Sequence, residues 1–160
     1  MRLRRLDVVF AVLLLAGLAV LADWLLKEDI SGTARAADGD TLVLDGAHVR
    51  LKGMDAPELA QTCTRDGKDW PCGREAKAAL AAALKRGAVA CTFSERDDYD
   101  RPLAQCTVAG ADLGALMVRQ GLAVAFGAYH AEEAEARAAR RGLWAGSFQR
   151  PAGYRADHRR

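Results

Sequence analysis

The sequence predicts a mainly β domain with helices around it: a small closed barrel of short, strongly turned strands, preceded by an N-terminal hydrophobic helix. Three observations carry this. Short apolar or alternating runs are separated by tight polar turns, Asp45-Gly46 and the stretch "RDDYD" (residues 96–100) among them. Such strands close on themselves more readily than they form a parallel α/β sheet. The elements come in the order strands, helix, two strands, then two helices around a short strand. Finally, three arginines precede a long apolar run at the N-terminus.

That run occupies residues 8–22, behind Arg2, Arg4 and Arg5, and resumes after Asp23 as far as Leu26. A basic start followed by an apolar stretch is the pattern of an export signal. A spanning helix needs roughly 20 apolar residues, which this stretch reaches only if Asp23 is tolerated near one end. Val20-Leu21-Ala22 would serve as a cleavage site. A cleaved signal peptide and an uncleaved membrane anchor both remain open, and both export the rest of the chain. The expected location is periplasmic or extracellular, at the inner membrane if the helix is retained. The expected organisation is signal or anchor at 1–26, linker at 27–32, domain at 33–145 and a basic tail at 146–160.

Within the domain, residues 33–44 read as a strand interrupted at Asp38-Gly39-Asp40. Asp45-Gly46 is a hairpin turn, and residues 47–54 return. Residues 58–70 lack periodicity and read as a loop. Pro71 precedes an alanine-rich helix over 73–86, with Ala76, Leu80, Ala83 and Leu84 on one stripe and Gly87 as its stop. Residues 88–94 and 101–109 form a second hairpin. Asp112 caps a short helix that ends at Gly121. Residues 122–126 form a last strand, and 131–141 a helix with Glu132, Glu133 and Glu135 near its start, where its dipole favours them. The tail after Trp144 reads as irregular.

The four cysteines, at 63, 72, 91 and 106, include no C-x-x-C pair and meet no histidine cluster, so a structural zinc site fits poorly. Centring the second hairpin on residues 98 and 99 sets Cys91 opposite Cys106, at a separation that a disulfide bridges. That leaves Cys63 to pair with Cys72. Two disulfides imply an oxidising compartment.

The formal net charge of the 160 residues is +2, all of it owed to Arg2, Arg4 and Arg5 against Asp7. The remaining chain is neutral, which excludes a protein that coats nucleic acid by bulk charge alone. Only the C-terminal end is locally basic. Charge is concentrated instead around the first hairpin. Asp38 and Asp45 read as turn formers, whereas Asp40, Asp55 and Glu58 together suit a hard cation such as calcium or magnesium. Arg50 and Arg101 are candidate phosphate forks. A three-residue loop at 44–46 would put Asp40 and Arg50 on one face, and a two-residue turn would put them on opposite faces unless a bulge at Gly39 intervenes. Both registers stay open. Tyr99 and Tyr129 read as exposed, and Phe126 as core. His48 and His130 pair with no nucleophile and read as surface residues.

Four segments, "DGDTL", "VRLKGMDAPE", "DDYDRPLAQC" and "MVRQGLAVAF", follow one another in this order. Together they resemble the thermonuclease, or staphylococcal-nuclease-like, family over about residues 33–144. The resemblance implies an OB-type barrel of five strands with three α-helices and a calcium-dependent nuclease that hydrolyses phosphodiester bonds of DNA and RNA. It places Asp40, Asp55 and the carbonyl of Ala56 as calcium ligands. Glu58 would orient or deprotonate the attacking water, Arg50 and Arg101 would contact phosphate, and Tyr99 the nucleotide. Tyr129 stands as a second substrate-binding aromatic. Asp100 replaces the glycine usual before the second arginine and sets a negative charge beside Arg101. A monomer is expected. The rival is a non-catalytic OB-fold module that binds nucleic acid or a protein partner, and a third option is a domain whose acidic hairpin binds calcium only for stability.

Overall fold

The computed structural model describes residues 2–25 and 27–158, leaving out the side chains of 2–6 and 23–25. The basic start, Asp23 and the resumption of the apolar run to Leu26 therefore lie outside the described side chains, as do Arg159 and Arg160. Helix α1 runs Arg2–Leu25, and its apolar side chains from Val8 to Leu21 are exposed. No helix among the described residues is long and apolar enough to cross a membrane.

The domain is built on one curled sheet. Its strands are β1 (Glu28–Gly32), β2 (Ala34–Ala36), β3 (Thr41–Leu44) and β4 (Ala47–Leu51), followed by the two long strands β8 (Val89–Arg96) and β9 (Pro102–Val108). Their order is β1-β8-β9-β4-β3-β2, with the two-residue β10 (Ala111–Asp112) added on β9. The path is open at β1 and β2, so the described strands form a half-barrel and not the expected closed ring. All pairs are antiparallel except β4 with β9, which run parallel through Arg50 opposite Leu103. Residues 28–32, expected as linker, are a strand because Ile30 alternates with polar neighbours and lies opposite Cys91 on the edge of β8.

The return strand of the first hairpin is shorter than expected. It stops at Leu51, turns at Lys52-Gly53 and resumes as β5 (Met54–Asp55), which pairs with β11 (Val124–Ala125). Residues 58–70, expected as loop, hold a small hairpin of β6 (Cys63–Arg65) and β7 (Lys68–Trp70) around Asp66-Gly67. The helices are α2 (Cys72–Leu84), α3 (Leu113–Arg119), α4 (His130–Ala138) and α5 (Pro151–Asp157), with a 3-10 turn at Gly142–Ala145. Asp112 caps α3 as expected, its Oδ1 accepting from the Ala115 N–H at 2.9 Å. Helix α5 replaces the expected irregular tail. Pro151 at its first position lacks only an N–H that the first turn leaves unpaired anyway.

Leu80, Val49, Val89, Val108, Leu113 and Met117 are fully buried where α2 and α3 pack on the inner face of the sheet. Apolar burial of this kind is the main driving force for the fold. Both disulfides form. Cys91 lies directly opposite Cys106, and Cys63 is joined to Cys72, with Cα–Cα distances of 4.1 and 5.7 Å.

Candidate nuclease site

The register question at the first hairpin has a two-part answer. The turn has two residues, Asp45 and Gly46, both with positive φ, as the right-handed twist of a two-residue hairpin requires. Thr41 is therefore opposite Arg50, and alternation alone would point Asp40 away from it. Asp40, however, precedes β3. The Asp38 carboxylate accepts from the N–H groups of Asp40 and Thr41 at 3.0 and 2.7 Å, which folds residues 38–41 into a bend. The bend turns the Asp40 side chain onto the Arg50 face. Gly39 allows it: a Cβ there would lie 2.8 Å from the Cβ atoms of both Ala56 and Ala76.

Arg50 then lies between two buried carboxylates. Its Nη1 donates to Asp40 Oδ1 at 3.0 Å, and its Nη2 reaches Asp40 Oδ2 at 2.7 Å and Asp55 Oδ1 at 3.0 Å. The side chains of Asp40 and Asp55 are only 6% and 5% exposed. Thr41 Oγ1 and the Ala56 N–H complete the Asp40 environment. Burial pushes the Asp40 carboxyl up to about 7, with Arg50 pulling it down and Asp38 pushing it up further.

Glu58 borders the same cavity, a cleft of about 730 Å³ that also holds Arg101, Tyr99 and Arg155. Its loop is fixed from behind. Gln61, buried, accepts from the Glu58 N–H through Oε1, and the Gln61 N–H donates to the Glu58 carbonyl at 2.7 Å. Gly73 opens α2 immediately behind that carbonyl, where a Cβ would come within 1.8 Å of the oxygen. Nearby, the Cys63–Cys72 disulfide ties the small hairpin to the start of α2.

Arg101 is in the cleft but engaged with Asp97, to which its Nε and Nη2 donate at 2.7 and 2.6 Å. Burial raises the Asp97 carboxyl, but the Arg101 fork and the N–H groups of Arg101 and Tyr99 outweigh it and hold the group below its usual range. Asp100 adopts the left-handed conformation that aspartate tolerates, and its side chain faces Arg96 and not Arg101. Tyr99 is 79% exposed, with the Arg101 guanidinium over its ring at 5.3 Å.

Two aromatic side chains are placed otherwise than the alternation and turn pattern predict. Tyr129 does not line the cleft. Its ring packs on Gly53 and Gly114, and its hydroxyl donates to Asp112 at 3.1 Å, so it braces α3. Burial and the Asp112 charge push that hydroxyl up to about 12. Phe126, expected in the core, is 71% exposed and borders a second groove, of about 650 Å³, that shares Arg50, Asp97 and Arg155 with the first. The short β11 ends one residue earlier, so the alternation does not carry Phe126 inward.

The residue that sequence reasoning missed is Arg155. Its Nη1 donates to Asp55 Oδ1 and Glu58 Oε1, both at 2.9 Å, and its Nη2 to Asp55 Oδ2 at 3.1 Å. No local signal marks it, because its partners lie about a hundred positions back.

Among the described residues no three histidine, cysteine or carboxylate groups gather into a metal cage. The donor chemistry still suits a hard cation. Asp40 and Asp55 are buried carboxylates, Asp40 bonded to the Arg50 guanidinium and Asp55 to those of Arg50 and Arg155. Calcium takes roughly six to eight oxygens, so two side chains would supply only part of the set.

A family model described as "Staphylococcal nuclease homologue" matches residues 48–146. A succinoglycan biosynthesis protein, ExoI, of Rhizobium meliloti is 38% identical over 113 residues, covering 69% of this chain and 59% of that protein. A probable endonuclease, LCL3, of Phaeosphaeria nodorum is 32% identical over 127 residues, covering 68% and 42%. A probable staphylococcal-like nuclease, CAN1, of Oryza sativa subsp. japonica is 30% identical over 130 residues, covering 77% and 37%. The chain thus spans less than two thirds of each of these relatives.

Proposed function

The chain belongs to the staphylococcal nuclease homologue family, and from that premise we propose that it is an exported, calcium-dependent nuclease hydrolysing phosphodiester bonds of DNA and RNA. The observation that carries this is the side-chain cluster at the cleft, where two buried carboxylates, Asp40 from the bend before β3 and Asp55 from β5, share the Arg50 guanidinium near Glu58 and Arg101. Names given to relatives, endonuclease and staphylococcal-like nuclease, support the same reaction class.

Asp40 and Asp55, with the carbonyl of Ala56, would hold calcium, which when bound supplies positive charge beside the phosphoryl oxygens. Glu58, at the cleft edge, accepts the proton of the attacking water. Arg50 contacts phosphate from the floor of the cleft and Arg101 from its rim, stabilising charge on the non-bridging oxygens. Arg101 must first exchange Asp97 for the phosphate. Tyr99 offers an exposed ring on which a base stacks. Export rests on the apolar segment behind its basic start and on the two disulfides. The folded domain acts as a monomer.

A plasmid and a single-stranded RNA, each incubated with purified protein in calcium and in chelator, test the reaction. Calcium-dependent cleavage is expected. Intact substrate with calcium present rejects it, and retained binding without cleavage would instead mark a nucleic-acid-binding module.

A further inference from the structure

Arg155 lies outside the family-matched residues 48–146, yet it contacts two of the carboxylates on which the proposed reaction depends. We propose that Arg155 is a positioning residue: from α5 it holds the carboxylates of Asp55 and Glu58 in fixed relation, making the C-terminal helix part of the working site. This rests on the nuclease reading above.

The geometry supports it at both ends. At the site, one guanidinium nitrogen bridges Asp55 and Glu58 while a second closes a fork on Asp55. The Glu58 side chain is 40% exposed and sits at the cleft edge, so the bridge sets its orientation toward Asp55. A planar fork fixes direction as well as distance, which a lysine ammonium does not. At the other end, α5 is docked. Pro151 is buried, the Gln149 carbonyl accepts from the buried Gln61 amide at 2.7 Å, and the Gln149 side chain donates to Asp157 at 2.5 Å. Gln61 is also the residue that holds the Glu58 backbone. The tail thus holds the Glu58 loop twice, the Gln149 carbonyl accepting from the Gln61 amide and Arg155 donating to the Glu58 carboxylate. Partners that orient a ligating carboxylate typically matter about 10–100-fold in metal affinity or activity.

Calorimetric titration of calcium into the parent, Arg155→Ala and Arg155→Lys, without nucleic acid, separates orientation from simple charge. Removing a neighbouring cation should by charge alone tighten calcium binding. Positioning predicts the reverse: about tenfold weaker binding in Arg155→Ala, partly restored in Arg155→Lys. In cleavage assays kcat is expected to fall at least tenfold with KM little changed. Unchanged or tighter calcium binding overturns the proposal and makes the guanidinium a bystander or a competitor of the cation. Hydrogen exchange supplies a readout that needs neither metal nor cleavage. In Asp55→Asn the amides of α5 should exchange faster relative to those of β8 and β9, and unchanged protection also overturns the proposal. A parent that binds calcium but cleaves nothing rejects the nuclease reading, while calorimetry and exchange still decide the role of Arg155.

Discussion

Two guanidinium groups meet at Asp55, and the ways they are held differ. Arg50 comes from the middle of a sheet. Its strand is laced to β3 on one side and β9 on the other, and its side chain is mostly buried between Asp40 and Asp55. Arg155 comes from a seven-residue helix at the far end of the chain, with a third of its side chain exposed. Both make forked contacts of about the same length. The sheet contributes rigidity to its arginine through backbone hydrogen bonds that no single side chain controls. The tail must obtain its placement from a few side-chain contacts, so the same chemistry is far easier to dislodge there. Sites built on strands hold geometry better than sites built on terminal segments.

The largest effects should appear on the sheet side. Arg50→Ala should lower kcat by about 10²–10³, the usual cost of removing one charge-stabilising donor, and should leave Asp40 and Asp55 without their shared cation. Steady-state cleavage of a labelled oligonucleotide measures the loss. If Arg50→Ala costs less than Arg155→Ala, the contrast between the two regions is reversed.

Next comes the hinge between them. Gln61→Ala leaves the Glu58 N–H and the Gln149 carbonyl unpaired, with an expected loss of about 1–3 kcal/mol in urea unfolding. Looser docking should also expose Arg150 and Arg155 to trypsin, visible as early tail cleavage by mass spectrometry.

The pH dependence belongs to the sheet alone. With the folded Asp40 carboxyl raised to about 7, calcium must displace a proton below that value, so calcium affinity should fall as pH drops through about 7. The stability sign is opposite. A raised carboxyl contributes stability that is full below its unfolded value of 3.8 and is lost as pH rises through about 7. The melting temperature of calcium-free protein should therefore decline across that window, and Asp40→Asn should flatten the decline. Asp97, held low, contributes stability that is lost only as pH falls below its ordinary 3.8, outside that window.

The smallest effect tests a correction. Tyr129→Phe removes the bond to Asp112 and should cost about 1 kcal/mol in thermal unfolding with kcat unchanged. A large loss of activity would return Tyr129 to the substrate.

The sequence carried the parts of this structure that local chemistry controls. Asp45-Gly46 named its turn, Asp112 its cap, and the spacing of Cys91 and Cys106 their pairing, because each depends on neighbours in one hairpin or helix. The identities of Asp40, Arg50, Asp55 and Glu58 were legible as a charge cluster with no other purpose. Their common face was not, since it depends on the Asp38 bend, a three-residue deviation that interrupts alternation. The hairpin at Asp66-Gly67 carries the same signal as the first one but lacks apolar alternation beside it. Arg155 was illegible for another reason. A basic residue near a terminus reads as solvated until the fold brings a buried carboxylate to it from about a hundred positions away.

The parallel contact of β4 with β9 has a consequence in time. Arg50 and Leu103 pair only after some fifty intervening residues have threaded through a helix and a hairpin, and non-local closure of this kind is slow. Synthesis delivers Asp40 more than a hundred residues before Arg155. Until α5 emerges, the chain carries Asp55 and Glu58 without the guanidinium that bridges them.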